Sequence, residues 1–381
     1  MKVRLFKPSI GVEELEAVED VFCRAWLGLG PKTKEFEDQW KKYIGCEEAI
    51  GVNSCTAALH LALSAFKFPM GKKVLVPVLT FAATAMAPLY NGLEPVFVDV
   101  DKDTLCMSLE DLERKYDKDC VAVMPVHYGG CPGKIDEIVA WARSKNLKVI
   151  EDCAHTAGGR YKGKIIGTFG DIGCYSFEEK KCMTTGDGGM ICSDDKELVS
   201  SLRHSRWVGM NKDTWQREKE NSINKETSQW YYEILDMGYK YNMNDLMASI
   251  GLVQLKKLPE MNKRRLDIIF KYLDGIKECT TLKPALPYDK SVGSYWMFML
   301  KVENRDKFIS YMQKKEIATG VHYMPITLHP YFKKYENDTP NAYGMWNKFV
   351  TIPLHADLSD EEINYVIESM VEFDSLNGGW H

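Results

Sequence analysis

The chain has 381 residues, of which 45% are hydrophobic and 27% are charged, and its formal net charge is -5. This length suffices for two domains with well-filled cores, and the negative charge gives no general attraction for nucleic acid or an anionic membrane. No apolar run is long enough to cross a bilayer, and we expect no secretory signal peptide. The eleven cysteines form no C-x-x-C pair, so we expect reduced thiols and a cytoplasmic protein.

Short apolar runs alternate with helical patterns through the first part of the chain. Residues 56–66 and 135–145 have the apolar spacing of helices. The apolar runs are rich in Val and Ile without strict alternation, which is typical of strands buried on both faces. These runs predict strands over residues 74–78, 95–100, 121–126, 147–150, 172–177 and 190–192. The alternation favours an α/β fold with a mostly parallel sheet covered by helices.

The pattern changes after Asp245. One amphipathic helix is predicted over residues 246–258, and a second helix, rich in Lys and Arg, is predicted after Pro259. The remaining predicted elements are two weaker strands and a capped final helix, at residues 295–302, 321–324 and 360–373. We therefore predict a large α/β domain over residues 1–255 and a smaller α+β domain over residues 256–381.

A lysine stands between a predicted strand and a cluster of glycines. The strand ends at Phe177, Lys181 follows in a polar turn, and residues 186, 188 and 189 are glycines. A lysine held at a strand end beside flexible backbone suits a Schiff base with an aldehyde cofactor, because its amine must reach one point while the chain passes close to a bulky ligand. Taken alone, the pattern is more typical of a solvated turn. Three other segments supply what pyridoxal 5′-phosphate (PLP) needs.

Two of these segments suit the phosphate and the ring of PLP. The run from Asn53 to His60 opens an apolar helix with a serine and a threonine. Free N–H groups and partial positive charge at a helix start suit a phosphate. A well-capped helix that binds no ligand would show the same sequence pattern. Phe81 follows a predicted strand, where an aromatic side chain could stack on a planar ring. Core packing is the ordinary role of a single Phe.

The third segment begins with two acids, Glu151 and Asp152, directly after a buried strand. Ligands of open α/β sheets bind at the carboxyl ends of the strands. A carboxylate there can keep a pyridine nitrogen protonated, which makes PLP an electron sink. An acidic turn, or a metal site with Asp152 and His155, would show the same short pattern. No further His or acid stands at a metal-ligand spacing, so no metal is predicted.

Together these segments resemble the DegT/DnrJ/EryC1/StrS family, the sugar aminotransferases of PLP fold type I. The resemblance covers nearly the whole chain and follows the family's order of motifs, at residues 28–32, 53–59, 151–155, 170–177, 181–189, 238–245 and 321–325. It implies a mostly parallel seven-stranded sheet in the large domain and a smaller α+β domain at the C-terminus.

The resemblance also implies roles for individual residues. Lys181 falls on the family's Schiff-base lysine and Asp152 on the acid that pairs with the pyridinium nitrogen, so these two are the predicted catalytic residues. His155 falls where a His or Gln contacts the 3-oxygen of PLP. The other implied cofactor contacts are three phosphate-binding residues and the ring-stacking aromatic, namely Cys55, Thr56, Ser176 and Phe81.

The segment from Gly238 to Met243 departs from the family pattern. Many members read G-Y-N-Y-R-M where this chain reads G-Y-K-Y-N-M. In relatives this segment reaches the PLP phosphate of the neighbouring subunit, which implies a homodimer with shared active sites. Asn242, or alternatively Lys240, would take that part here. His322 and Tyr323 fall in a segment that faces the sugar in relatives.

The implied reaction moves an amino group from L-glutamate to a nucleotide-linked ketodeoxysugar, most often a 4-keto-6-deoxyhexose, while PLP cycles through pyridoxamine phosphate (PMP). Lys181 would act as the general base. Lys32, Arg203 and Arg206 are candidates for the nucleotide diphosphate, with surface solvation as the alternative reading. The nucleotide and the aminated carbon stay open.

Two other functions are weighed against transamination. A sugar 3-dehydratase of the same family is disfavoured because the lysine is present and no cysteine cluster appears. A non-catalytic regulator is disfavoured because no DNA-binding segment or basic patch is added to the chain.

Overall fold

The computed structural model describes residues 1–217 and 231–377. Its strands, in chain order, are β1 Glu48–Val52, β2 Lys73–Pro77, β3 Glu94–Val98, β4 Cys120–Val123, β5 Lys148–Asp152, β6 Arg160–Tyr161, β7 Lys164–Ile165, β8 Ile172–Ser176, β9 Gly189–Ser193, β10 Leu282–Pro284, β11 Phe298–Val302 and β12 Phe349–Ile352.

The helices that cover and connect these strands are α1 Val12–Cys23, α2 Pro31–Ile44, α3 Cys55–Ser64, α4 Ala82–Tyr90, α5 Leu109–Lys115, α6 Ile135–Ser144, α7 Lys196–Ser205, α8 Asp245–Gly275, α9 Arg305–Lys314, α10 Pro340–Met345 and α11 Asp360–Asn377. Among the described residues, no helix combines the length and the apolar character that crossing a bilayer requires.

The large sheet has seven strands in the order β1-β9-β8-β5-β4-β2-β3. Strand β9 runs antiparallel to both of its neighbours, and the other neighbouring pairs are parallel. The predicted α/β fold with a mostly parallel seven-stranded sheet is therefore confirmed. All the predicted strands of this sheet are present with shifted ends, and β1, which was not predicted, forms an edge.

Both faces of the sheet are buried, which explains the continuous apolar runs in its strands. Neighbouring residues on a strand point to opposite faces. On β2, Val74 packs into the core that contains α3, whereas Leu75 packs into the core that contains α5 and α6. A strand with two apolar faces needs no polar alternation.

A smaller antiparallel sheet, in the order β10-β11-β12, follows the long helix α8. Helix α8 is continuous from Asp245 to Gly275 with Pro259 inside it, so the prediction of two helices separated at this proline was wrong. Packing against α1, α2 and α11 holds the helix together although Pro259 has no N–H to donate. The predicted strand 321–324 is also absent, and only a single bridge joins Gly320 to Thr351.

The ends of three parallel strands and the starts of two helices meet at one edge of the large sheet. Strands β2, β5 and β8 end at Pro77, Asp152 and Ser176, and helices α3 and α4 begin at Cys55 and Ala82. This edge combines side chains at strand ends with free N–H groups at helix starts, so it can bind an anionic ligand.

Candidate active site

A cavity of about 400 Å³ lies at this edge of the sheet. It brings together all the predicted site residues except Asn242, namely Cys55, Thr56, Phe81, Asp152, His155, Ser176, Lys181, His322 and Tyr323. Residues from the large sheet line this space together with residues from the connections between strands of the small sheet, because Trp296, His322 and Tyr323 close one side of it.

Asp152 lies at the end of β5 with its carboxylate buried at the cavity. Its Oδ2 accepts a hydrogen bond from the hydroxyl of Thr84 at 2.6 Å, and its Oδ1 accepts one from the N–H of Ala154 at 3.0 Å. Burial raises the pKa of Asp152, and these two hydrogen bonds oppose the rise only in part. Within the described residues this carboxylate has no ion-pair partner, so a cationic group of a ligand would stabilise its ionised form.

The neighbouring acid, Glu151, has a different role. Its buried carboxylate accepts N–H groups from residues 167, 169 and 170 and a hydrogen bond of 2.9 Å from Nε2 of His127. Glu151 thereby ties the loop 167–170 to the end of β5. Ligand atoms of His127, Glu151 and Cys153 lie within 4.8 Å of one another. Because both oxygens of Glu151 already accept N–H groups, metal coordination would require these bonds to break.

Lys181 follows β8 in a turn closed by its own N–H, which donates to the carbonyl of Glu178 at 2.9 Å. Its Nζ lies 3.8 Å from the centroid of the Trp296 ring. Burial lowers the pKa of Lys181 because the ammonium loses hydration, while the negative charges of Glu178 and Asp152 oppose this effect. A lowered pKa increases the fraction of free amine, which is the nucleophilic form.

His155 is held in one orientation by three neighbours. The N–H of Gly129 donates to its Nδ1 at 3.2 Å, which leaves the proton on Nε2, and Nε2 lies 3.4 Å from the hydroxyl of Tyr323. The imidazole also stacks on Trp296 with centroids 4.2 Å apart. Burial and the charge of Lys181 lower the pKa of His155, so it is a neutral hydrogen-bond donor in the cavity.

The start of α3 forms the polar corner of the cavity. Ser54 caps this helix by accepting the N–H of Ala57 at 3.1 Å, and Thr56 and Ser176 add hydroxyl groups. A Cβ on Gly189 would lie 2.7 Å from the nitrogen of Cys55, so glycine is needed for β9 to pass this close to the helix. The thiol of Cys55 points to the carbonyl of Cys174 at 3.7 Å, so Cys55 can offer its N–H but not its side chain.

The cavity wall carries an exposed aromatic and a neutral histidine. Phe81 caps α4 and is 56% exposed, which is unusual for a Phe packed only for stability. Nδ1 of His322 lies 2.9 Å from the hydroxyl of Thr351. Burial and the charges of two lysines lower the pKa of His322 to about 4, so its imidazole is neutral near pH 7.

Asn242 lies outside the cavity of its own chain. Its side-chain oxygen accepts a hydrogen bond of 2.8 Å from Nζ of Lys240, and its side-chain N–H donates to the carbonyl of Met243 at 3.0 Å. Nζ of Lys240 also lies 3.4 Å from the ring centroid of Trp207. Lys240 and Asn242 thus form one polar pair, and a role in PLP binding would require a second subunit.

The candidates for the nucleotide diphosphate are engaged elsewhere. Arg203 and Arg206 both form ion pairs with the buried Glu37, and Lys32 pairs with Asp20 at 3.3 Å. None of these three basic residues lines the cavity. We expected these residues to bind the nucleotide diphosphate or to be solvated at the surface. Arg203 and Arg206 instead neutralise the buried Glu37.

Trp296, which lines the cavity, and His127, which contacts Glu151 beside it, are among the residues that were not predicted from the sequence. Trp296 lies in a predicted strand, where an aromatic is ordinarily core, and His127 lies just after another strand end. His127 could have been proposed from the sequence, because a polar residue directly after a predicted strand can lie at a ligand-binding edge of the sheet. Nothing in the sequence around Trp296 indicates that it contacts Lys181 and His155.

The cavity fits PLP in its chemistry. A buried carboxylate without a cationic partner suits a protonated ring nitrogen, an amine with a lowered pKa suits an aldehyde, and a helix start with two hydroxyl groups suits a phosphate. Together with the seven-stranded sheet, this site defines a PLP-type enzyme of fold type I.

The particular family follows from comparison with known proteins. The sequence pattern of the DegT/DnrJ/EryC1/StrS aminotransferase family matches residues 8–371, and the chain belongs to this family. It is 37% identical to the spore coat polysaccharide biosynthesis protein SpsC of Bacillus subtilis, over 95% of each chain. It is 34% identical to the dTDP-4-dehydro-2,3,6-trideoxy-D-glucose 4-aminotransferase of Saccharopolyspora spinosa, over 96% of this chain and 95% of the relative.

A solved relative supports the same conclusion. Spr1654 from Streptococcus pneumoniae in its PMP form superposes with a TM-score of 0.90 at 30% identity, covering 98% of this chain and all of the other. Its PLP form superposes with a TM-score of 0.88. The protein is thus a PLP-dependent aminotransferase of a sugar aminotransferase family.

Proposed function

We propose that this enzyme transfers the amino group of L-glutamate to the ketone of a nucleotide-linked 4-keto-6-deoxyhexose, giving a nucleotide-linked amino sugar. The observation that carries the proposal is the single cavity in which the amine of Lys181 and the carboxylate of Asp152 meet. The Saccharopolyspora spinosa relative is a 4-aminotransferase for a dTDP-linked 4-dehydro sugar, which supports the substrate class and the carbon.

The cofactor-binding roles follow from the contacts of each side chain. Asp152 would hold the ring nitrogen, and Nε2 of His155 would donate to the 3-oxygen. The phosphate would be held by residues at the start of α3 and the end of β8, and the ring would be covered by an aromatic, namely Cys55, Thr56, Ser176 and Phe81. His322 and Tyr323 would contact hydroxyl groups of the sugar.

Lys181 is the residue that moves protons in this mechanism. PLP, when bound, supplies an aldehyde that accepts the amino group and a ring that accepts the electron pair left on the donor carbon. Nζ of Lys181 would hold that aldehyde in the resting enzyme, and the amine, once released, would take the proton from the α-carbon of glutamate. In the second half of the reaction the same amine delivers a proton to the sugar carbon that receives the nitrogen.

The working unit that we propose is a homodimer. Asn242 and Lys240 form a polar pair outside their own cavity, as expected of a segment that serves a neighbouring subunit. Ile234, Leu235 and Met237, just before this segment, are exposed apolar side chains that a partner subunit would cover. Either Lys240 or Asn242 would then donate to the PLP phosphate of the other chain.

The chemistry can be tested by product analysis. The purified holoenzyme should convert a 4-keto nucleotide sugar and L-glutamate into an amino sugar, read by mass spectrometry and NMR. A panel of UDP-, GDP- and dTDP-linked 3-keto and 4-keto sugars would identify the nucleotide and the carbon. Formation of a 3-deoxy sugar in place of an amino sugar would contradict the proposal.

The role of Lys181 has its own test. Borohydride reduction should fix the cofactor on Lys181, found by peptide mass spectrometry. Lys181→Ala should lose this label and reduce transamination by about 10⁴-fold, because both the covalent attachment and the base are removed. Lys180→Ala, one residue away, should still be labelled at position 181. A label on Lys180 in the wild-type protein would refute the assignment.

A further inference from the structure

Trp296 is fixed by more contacts than a core aromatic needs. It is buried, its indole N–H donates to the carbonyl of Lys180 at 2.6 Å, and its backbone N–H donates to the carbonyl of Gly129 at 3.0 Å. The ring of Phe6 also stacks on it, with centroids 4.9 Å apart and planes 6° from parallel. Contacts of the backbone N–H, the indole N–H and one ring face therefore hold Trp296 in place at the cavity wall.

Two functional groups of the cavity rest on this ring. Nζ of Lys181 lies 3.8 Å from the ring centroid, and the imidazole of His155 stacks on it at 4.2 Å, with planes 17° from parallel. Nζ of Lys181 has no hydrogen-bond or ion-pair partner among the residues that the structure describes. The indole is therefore the side-chain contact that the structure shows for this amine.

An ammonium over an indole is attracted by the negative face of the ring, and the attraction is largest where water is excluded. The lysine side chain has several rotatable bonds, so an amine without a partner would sample many positions. Holding the amine over a fixed ring restricts it to one part of the cavity, close to the buried Asp152.

We propose that Trp296 is a positioning residue whose ring holds the amine of Lys181 whenever that amine is not bonded to the cofactor. The inference rests on the proposed function, in which the amine is released once in each half of the reaction and must stay within reach of the donor carbon. Trp296 acts through Lys181 and His155, and it does not itself exchange protons.

The test uses the apoenzyme, so it does not depend on transamination. Acetylation of the Lys181 amine by an amine-selective reagent, followed against pH by mass spectrometry, measures its pKa directly. Trp296→Met removes the ring, and we expect the pKa of Lys181 to fall by about one unit, because the ring favours the ammonium. Phe attracts a cation less strongly than Trp does, so the pKa of Lys181 in Trp296→Phe should lie between its values in Trp296→Met and in the wild type.

The other titratable groups that face Lys181 are unchanged in these variants, namely Cys55, Asp152, His155, Glu178, Cys182 and His322. A matched control is Trp346→Met, because the guanidinium of Arg305 lies over the Trp346 ring at 5.2 Å, outside the cavity. This control should leave the pKa of Lys181 at the wild-type value. An unchanged or higher pKa in Trp296→Met would overturn the proposal.

A second measurement separates positioning from folding. In the holoenzyme, Trp296→Met should slow the single-turnover reaction with L-glutamate by about tenfold, as expected when a base is less well placed, while the concentration dependence on glutamate changes little. A variant with wild-type rate would also overturn the proposal. If the wild-type enzyme aminates no keto sugar, the proposed function fails, while the titration of Lys181 still decides the role of the ring.

Discussion

Two buried carboxylates in this protein have opposite electrostatic surroundings. Glu37 of α2 contacts the guanidinium groups of Arg203 and Arg206 and accepts the N–H of Gly51 at 2.9 Å. Burial alone would raise its pKa, but the two arginines outweigh burial and lower the pKa to about 2. Asp152 is nearly as buried, and burial raises its pKa, because its hydrogen bonds from neutral groups and the charge of Lys181 offset burial only in part.

This difference is the one expected between a structural acid and a ligand-binding acid. A buried charge is tolerated when its counter-charge is also in the chain, as at Glu37. At Asp152 no residue that the structure describes forms an ion pair, and an acid with a raised pKa in a cavity is a candidate for a functional role. The unpaired position of Asp152 therefore supports the proposed contact with a protonated ring nitrogen.

The largest effect is expected for Asp152→Asn. An amide cannot keep the ring nitrogen charged, so transamination should fall about a thousandfold, which corresponds to about 4 kcal/mol. The melting temperature of the apoenzyme should not fall, because the raised pKa means that the fold disfavours the ionised acid above that pKa. Steady-state kinetics measure the loss of transamination, and thermal unfolding of the apoenzyme measures the melting temperature. A fully active or strongly destabilised Asp152→Asn would remove the contrast with Glu37.

Glu37→Gln should show the reverse pattern. Removing the acid leaves the buried Arg206 without a counter-charge, whereas the half-buried Arg203 keeps Glu48 at 3.0 Å. We expect a cost of about 3 kcal/mol in the free energy of unfolding at neutral pH. The lowered pKa of Glu37 means that its stabilisation is present above the ordinary value of 4.5 and is lost as the pH falls towards about 2. Urea unfolding of wild type and variant should therefore give stability curves that converge in acid. Curves that stay parallel would contradict the pairing.

The smallest effect is expected for His322→Gln. The pKa of His322 is lowered to about 4 by burial, so at neutral pH it offers hydrogen bonds and no charge. Replacing it with a neutral donor and acceptor should raise KM for the keto sugar about fivefold, the worth of one hydrogen bond, and leave kcat near its wild-type value. The pH profile should keep its shape through neutral pH. A large loss confined to one side of neutrality would show that His322 acts as a charged group.

Much of the fold and most of the cavity could be predicted because they depend on local patterns. Strands with two apolar faces indicated a parallel sheet, and such a sheet brings the ends of β2, β5 and β8 to one edge. The residues at those strand ends and at the helix start that they face, including Asp152, Ser176 and Cys55, therefore line one cavity. The roles of these residues came from the family resemblance and stay predictions.

The missed features depend on contacts between distant parts of the chain. The pairing of Glu37 with Arg203 and the contact of Trp296 with Lys181 join segments more than a hundred residues apart, and no local pattern marks such pairs. The break predicted at Pro259 failed because packing on both sides of the helix outweighs one missing hydrogen bond. Strand β1 begins with Glu48 and contains Gly51, so its apolar pattern is weak.

The unbroken helix α8 has a practical consequence for dissecting the protein into fragments. A cut after residue 255, where the domain boundary was predicted, would fall inside the helix and leave unpaired carbonyl and N–H groups on both sides of the cut. Fragment complementation would have a better starting point at the turn after Gly275, which leaves the helix whole and frees the small sheet as one piece.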